Sequence, residues 1–137
     1  MTSFFSGHMT TVKQAMRYLL GAALIAAGAN HFRIPDFYVS IMPAYLPWPL
    51  ALVYLSGVAE IGVGALLLFE SSKRLAAWGA IALFVAVFPA NVQMVLHSEL
   101  YPQFSPLALW MRLPLQGVLV AWAYWLTRPG PERSALV

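Results

Sequence analysis

The sequence predicts an all-α fold, an integral membrane four-helix bundle with a short interfacial helix between its first and second spans. Hydrophobic residues make up 61% of the 137 residues and charged residues 9%, whereas soluble domains carry roughly 25% charged residues. Four apolar segments reach or approach the roughly 17–25 residues that cross a bilayer as a helix. They cover about residues 15–32, 50–69, 75–96 and 107–127.

Helices are the expected form of these segments, because backbone groups in hydrocarbon must bond internally and the alternating pattern of barrel strands is missing. We therefore expect a single transmembrane domain over residues 1–137. The sequence contains no cysteine, which excludes disulfides and cysteine-bound metals within the chain. No metal site is expected, and redox chemistry requires a bound cofactor or a partner.

The first segment has a second interpretation. Lys13 and Arg17 precede an apolar run that ends in the small residues 27–29, which is also the pattern of a secretory signal peptide. We expect the segment to be retained as the first span.

Basic residues predict that both termini are cytoplasmic. Lysine and arginine in short loops mark the cytoplasmic side, and an even number of spans places both termini on one side. Only Arg33 and Arg112 fall on the opposite side, whereas the terminal side carries Lys13, Arg17, Lys73, Arg74, Arg128 and Arg133. Anionic lipid headgroups account for such a basic rim, so the bilayer is the expected partner and no nucleic acid is.

Aromatic belts are predicted at both interfaces, where tyrosine and tryptophan anchor membrane helices. The expected outer belt consists of Tyr45, Trp48, Tyr101 and Trp110, and the inner belt of Tyr18, Trp78, Trp122 and Trp125.

Glu60 is the only acidic residue deep inside an apolar segment. An ionisable residue within a membrane span is a functional-site hypothesis. Gly57, Glu60 and Gly64 share one helical face, and small residues let a neighbouring helix approach closely, so Glu60 is expected to point into the bundle. A carboxyl that only fixes helix register by hydrogen bonding is the alternative.

The other polar residues of the spans fall in their outer halves. We expect a pocket entered from the outer side, because a device that only packs helices has no reason to favour one half of the membrane. The predicted ligand-binding residues are His31, Ser56, Glu60, Asn91, Arg112 and Gln116. Glu60 is also the candidate for catalysis.

Two features near this pocket have specific consequences. Pro89 removes an amide donor, which tends to kink the third span and frees the carbonyl of Val85. Arg112 has two possible partners, since its long side chain can reach inward to Glu60 or outward to lipid headgroups.

The connections on the outer side are too apolar for solvated loops. Residues 33–49 contain four prolines, and a short helix beginning at Pro35 would place Phe37, Tyr38, Ile41 and Met42 on one side. Residues 98–106 bring Tyr101 and Phe104 to the same surface. Together, the two connections are expected to form a lid or a docking surface.

Several sequence blocks, which cover roughly residues 15–128, resemble the DoxX-like family of small four-helix bacterial membrane proteins. They are Gly28-Ala29-Asn30-His31-Phe32-Arg33-Ile34-Pro35 with Tyr38, Met42-Pro43-Ala44-Tyr45-Leu46-Pro47, Ser56-Gly57-Val58-Ala59-Glu60-Ile61, Phe88-Pro89-Ala90-Asn91 and Arg112-Leu113-Pro114-Leu115-Gln116. The resemblance implies a multi-pass protein of the bacterial cytoplasmic membrane. For some relatives it implies association with quinone-linked sulfur oxidation or oxidative-stress complexes. The broader group is also similar to animal membrane chaperones.

Three functions from different classes follow. The leading hypothesis is a redox-associated subunit that binds a quinone or similar lipophilic molecule in the outer pocket. The second is an assembly factor or chaperone whose lid docks a membrane or periplasmic protein. The third is an enzyme that uses Glu60 as an acid or base on a hydrophobic substrate. A homo-oligomer is compatible with each.

Overall fold

The computed structural model describes residues 2–130, with side chains described from residue 10 onward, and this part of the chain is all-helical. Its elements are α1 (Thr2–Arg33), α2 (Pro35–Ser40), α3 (Pro49–Leu67), α4 (Lys73–Leu96), a 3₁₀ turn (Ser98–Leu100) and α5 (Pro106–Thr127). The predicted all-α class is confirmed. Arg133, which entered the prediction of orientation, lies outside the described residues.

Three of the described helices, α3, α4 and α5, are long and apolar enough to cross a membrane. Their bounds agree with the predicted spans to within a few residues. The first helix differs from its prediction, because α1 begins at Thr2 rather than near residue 15. No proline interrupts residues 2–14, so the helix continues beyond its apolar part.

The helices α1 and α3 pack antiparallel through glycines on both sides of the contact. A Cβ on Gly21 would lie 2.8 Å from the Gly64 carbonyl oxygen, and a Cβ on Gly28 would lie 2.6 Å from the Gly57 carbonyl oxygen. Small residues permit such close approach of two backbones. The predicted small-residue face of α3 is confirmed, and α1 is the neighbour that uses it.

All four long helices contribute to one apolar core. The helices α4 and α5 pack against each other, and α3 joins this pair to α1. The buried members of the core are Leu20 and Leu24 of α1, Leu67 of α3, Ala76, Ala77, Ala80 and Phe84 of α4, and Ala123 and Leu126 of α5. Alanines dominate the α4 contribution, which lets its neighbours approach closely.

The two apolar connections meet at the end of the bundle where α1 ends. The predicted short helix is present as α2, with Pro35 at its first turn. Tyr101, which the sequence placed in the outer aromatic belt, is buried against the rest of the protein and only 2% exposed. Its hydroxyl donates a hydrogen bond of 2.7 Å to the carbonyl oxygen of Ser40, which ties the α4–α5 connection to the end of α2.

An apolar cluster surrounds this hydrogen bond. Met94, Tyr101 and Leu109 are buried in it, and Phe37, Ile41, Val95 and Phe104 pack against them. The ring centroids of Phe37 and Phe104 lie 6.0 Å apart. The α2 region is therefore fixed above the ends of α4 and α5 by packing as well as by hydrogen bonding.

Candidate functional site

A cavity of about 370 Å³ lies beneath α2, at the end of the bundle that contains Glu60. Its roof is formed by Phe37, Tyr38, Ile41 and Met42, the four residues expected to share one side of the short helix. Its polar lining consists chiefly of His31, Ser56, Glu60, Asn91 and Arg112. Five of the six residues predicted to bind a ligand thus surround one space.

Glu60 and His31 lie side by side on facing helices. Glu60 Oε2 is 3.5 Å from His31 Nδ1, and the two side chains are only 11% and 8% exposed. Oε2 is buried and has no hydrogen-bond partner among the described residues. A buried carboxyl oxygen without a hydrogen-bond partner is unusual and costly, so the geometry leaves an unpaired polar atom next to a cavity.

The orientation of His31 is fixed by its other contacts. Its Nδ1 lies 2.9 Å from the carbonyl oxygen of Ala27. Because a carbonyl only accepts, this contact requires the proton to be on Nδ1 and leaves the lone pair of a neutral ring on Nε2. The ring also stacks on Tyr38 with centroids 3.8 Å apart, so α2 holds His31 from above.

Tyr38 in turn accepts a hydrogen bond of 3.0 Å from Asn30 Nδ2 at its hydroxyl. The sequence placed Tyr38 in the lid but did not identify it as the direct partner of His31. Tyr38 reaches His31 because the helix breaks for one residue between α1 and α2, at Ile34. This break folds α2 back towards the last turn of α1.

Asn91 is held in place by Gln116. Asn91 Nδ2 donates to Gln116 Oε1 at 2.8 Å, and Gln116 Nε2 donates to the carbonyl of Phe84. Gln116 is buried and is not among the residues that line the cavity. Both the oxygen and the nitrogen of its side-chain amide are hydrogen-bonded within the protein. Gln116 therefore positions Asn91 and does not face the cavity. The second N–H of Asn91 Nδ2 and its Oδ1 are not used by Gln116.

Gln116 bonds a carbonyl close to the break that Pro89 makes in the hydrogen-bonding pattern of α4. The sequence predicted that Val85 would have the freed carbonyl. The carbonyl that Gln116 contacts is that of Phe84, one residue earlier. The helix itself runs without interruption from Lys73 to Leu96 through Pro89. A side chain from α5 therefore supplies a donor near the position where proline removes one.

Arg112 does not contact Glu60. Its Nη1 lies 2.9 Å from the sulfur of Met94, and its guanidinium stands 5.5 Å from the ring centroid of Phe104. Arginine lies over an aromatic face because the ring quadrupole attracts a cation. Arg112 therefore lines the cavity from its α5 side and is held there by Met94 of α4 and by Phe104 of the connection that precedes α5, without an ion pair to the buried carboxyl.

These features define the protein as an all-helical chain with three helices able to cross a membrane and a cavity whose mainly apolar wall carries a histidine, a carboxyl and an amide. Residues 20–127 match the model of a protein family described as a domain of unknown function, DUF8561. The chain belongs to this family. Comparisons with curated proteins and with solved structures gave no match.

Proposed function

We propose that this protein binds a lipophilic small molecule with a polar head, a quinone being the leading candidate, and that it serves as a redox-associated membrane subunit. The observation that carries the proposal is the buried Oε2 of Glu60, which lacks a hydrogen-bond partner among the described residues and belongs to a side chain that lines the cavity. A ligand hydroxyl would supply the missing donor.

The size and lining of the cavity support a small lipophilic ligand. Pockets for such molecules usually measure roughly 300–1,000 Å³ and combine apolar walls with a few polar groups. The volume here is about 370 Å³, which suits a single ring with substituents rather than a large polar substrate. Val53, Val87 and Leu46 supply parts of the apolar wall.

The polar groups suit both redox forms of a quinone. The hydroxyl of a quinol can donate to Glu60 Oε2, and the carbonyl of a quinone can accept from the remaining N–H of Asn91. His31 Nε2, whose lone pair the Ala27 contact leaves in place, can accept from a second hydroxyl. These groups lie on three different helices, α1, α3 and α4, so the ring of the ligand would be held between them.

In the proposed membrane arrangement all four long helices span the bacterial cytoplasmic membrane, with both termini in the cytoplasm and the Glu60 cavity towards the outer side. The distribution of basic residues supports this orientation, and the shared core of α1, α3, α4 and α5 supports including α1 as a span. Kinship with the DoxX-like family is part of the same proposal and rests on the sequence blocks given above.

Binding of a defined quinone to Glu60 variants tests the function. Purified protein in detergent would be titrated with a short-chain ubiquinone or menaquinone, in the oxidised and in the reduced form, and followed by tryptophan fluorescence. Glu60→Gln replaces the carboxyl by an amide, which leaves one acceptor oxygen, and is expected to weaken binding of the reduced quinol several-fold, because an ordinary hydrogen bond contributes about 0.5–1.5 kcal/mol. Glu99→Gln is the matched control, since Glu99 is exposed and lies outside the cavity lining.

The result that would overturn this proposal is absence of saturable quinol or quinone binding by the wild-type protein, or equal weakening by both variants. Capture of a membrane protein that depends on Phe37 and not on Glu60 would instead support the assembly-factor hypothesis. Chemical turnover of a hydrophobic substrate that Glu60→Gln abolishes in folded protein would support the enzyme hypothesis.

A further inference from the structure

A second cavity, of about 410 Å³, lies at the other end of the long helices. Arg17 of α1 lines it, whereas His31 of the same helix lines the Glu60 cavity. The two positions are fourteen residues apart in α1, which corresponds to ~21 Å of helix. The lining comes from α1, from the start of α4 with the connection before it, and from the end of α5.

The lining of this second cavity is strongly basic. Among the described residues that form it, Glu70 is the single carboxylate, and the basic residues are Lys13, Arg17, Lys73, Arg74 and Arg128. Five cationic side chains around one carboxylate leave an excess of positive charge. These residues come from three separate parts of the chain, so the folded structure, not one basic stretch of sequence, assembles the charge.

Arg17 is buried in the wall of this cavity. Only 5% of it is exposed, and Nη1 donates to the carbonyl of Leu67 at 2.7 Å while Nη2 lies 3.0 Å from Glu70 Oε2. Glu70 also pairs with Lys73. A single carboxylate is therefore shared between two cations, and a buried guanidinium is held rigidly at the wall.

Lys13 shows that positive charge accumulates here. Its ammonium donates to the carbonyl of Arg128 and stands 5.5 Å from the ring centroid of Trp125. Burial lowers the pKa of the Lys13 ammonium, and the positive charges of Lys73 and Arg128 lower it further. An anion among these groups would relieve that repulsion.

We propose that this second cavity binds a phosphate group, carried by the headgroup of an anionic phospholipid or supplied as free inorganic phosphate. Guanidinium groups bind phosphate oxygens through paired N–H donors, and an ammonium binds them as a point charge. The apolar side chain of Leu126 and the ring of Pro129 also line the cavity, which suits the glycerol and first methylenes of a lipid. The site is separate from the Glu60 cavity, so its test is independent of the proposed quinone binding.

Two anionic probes and one neutral probe test the site on the full-length protein in detergent. Native mass spectrometry would follow titrations with dioleoylphosphatidylglycerol and with dioleoylphosphatidylcholine, and thermal unfolding would follow titration with inorganic phosphate against chloride at equal ionic strength. The variants are Lys13→Gln and Arg74→Gln, singly and together. Arg33→Gln is the matched control, because it also removes one positive charge but lies outside both cavities.

Phosphatidylglycerol is expected to bind more tightly than phosphatidylcholine, with a loss of about fivefold for each basic residue removed, since each contributes about 1 kcal/mol near an anionic headgroup. The double variant should therefore lose about 25-fold, and Arg33→Gln should bind like the wild type. Thermal stabilisation by inorganic phosphate would show that the free anion is sufficient for binding. If phosphate does not stabilise the protein but phosphatidylglycerol still binds, the lipid headgroup is the source of the phosphate group.

Arg74 is exposed, so Arg74→Gln is expected to fold and keeps the test decisive if Lys13→Gln does not. Equal binding of the two phospholipids without any effect of phosphate would overturn the proposal. So would a loss of phosphatidylglycerol binding in Arg33→Gln as large as that in Arg74→Gln.

Discussion

Gly28 and Gly57 bring α1 and α3 so close that a Cβ on Gly28 would lie 2.6 Å from the Gly57 carbonyl oxygen. This contact is one turn or less from both His31 and Glu60. Because the two side chains are carried by the two helices that meet here, the glycine contact determines how near His31 Nδ1 comes to Glu60 Oε2.

We expect Gly28→Ala to destabilise the protein by about 1–3 kcal/mol, the usual cost of inserting an atom into a packed contact. The free energy of unfolding in mixed micelles measures it. Gly62→Ala is the control, since nothing lies within 4 Å of a Cβ at that position. It should be neutral or stabilising by up to about 1 kcal/mol, because alanine has the higher helix propensity. Similar destabilisation by both substitutions would contradict the assignment of the contact.

The hydrogen bond between Asn91 and Gln116 should appear as an energetic coupling. In a double-mutant cycle of Asn91→Ala and Gln116→Ala, we expect a coupling of about 0.5–1.5 kcal/mol, which is the range for hydrogen bonds between membrane helices. Thermal or chemical unfolding of the four proteins supplies the values. Asn91→Ala combined with Gln103→Ala is expected to be additive within about 0.5 kcal/mol, because Gln103 lies in the exposed connection before α5. Additivity in the first cycle would argue against the observed bond.

Tyr101→Phe should loosen the roof of the Glu60 cavity without changing its shape. Loss of the hydroxyl bond to the Ser40 carbonyl is expected to cost about 1 kcal/mol and to speed hydrogen–deuterium exchange in residues 35–42. Tyr54→Phe serves as the control, because Tyr54 is exposed and stacks through its ring on Phe32. Unchanged exchange in Tyr101→Phe would show that packing alone fixes the roof.

The burial of Tyr101 also predicts that its contribution to the stability of the protein depends on pH. Burial raises the pKa of the Tyr101 phenol above its ordinary value, so the folded state favours the protonated form. Its contribution to stability is therefore complete below the unfolded pKa of about 10 and is lost as the pH rises towards the folded pKa. The stability difference between wild type and Tyr101→Phe should shrink as the pH rises above about 10. A difference that stays constant or grows would be the contrary result.

The predicted orientation can be measured directly because the chain has no cysteine. Ser71→Cys lies between α3 and α4, and Gln103→Cys lies between α4 and α5; both positions are exposed. With a membrane-impermeant maleimide, we expect Gln103→Cys to react in spheroplasts and Ser71→Cys only after the inner face is made accessible. The reverse pattern would invert the topology, and reaction of both from one side would show that α4 does not cross.

Much of the fold follows from local signals in the sequence. The start of α5 is an example, because the hydroxyl of Ser105 accepts from the Ala108 amide and Pro106 occupies the first turn. The spacing of Gly57, Glu60 and Gly64 in the sequence also predicted the face of α3 that packs against a neighbouring helix. The start of α1 was not, since residues 2–14 contain no proline and the limit of the apolar segment does not stop a helix.

The parts that could not be predicted depend on side chains that meet across long sequence separations. The sequence placed Tyr101 in the outer aromatic belt, whereas its burial depends on an apolar cluster and on the carbonyl of Ser40, 61 positions earlier in the chain, which accepts a hydrogen bond from its hydroxyl. Arg112 has a flexible side chain, and its contact with Met94 involves a weak thioether acceptor that no pattern indicates. The clustering of polar residues in one half of the spans, by contrast, indicated six side chains, and five of them meet around the Glu60 cavity.

The roof of that cavity is built from a six-residue helix that joins α1 after a one-residue break at Ile34. Under the proposed function, a ligand would enter by displacing this short segment from its packing, while the long helices keep theirs. The time for which the ligand stays bound would be set by this short helix and by the hydrogen bond from Tyr101 to Ser40. The preference for one ligand over another would be set by the residues that line the cavity. If the protein binds a ligand as proposed, the rate of uptake and the selectivity would depend on different parts of the chain and could change independently.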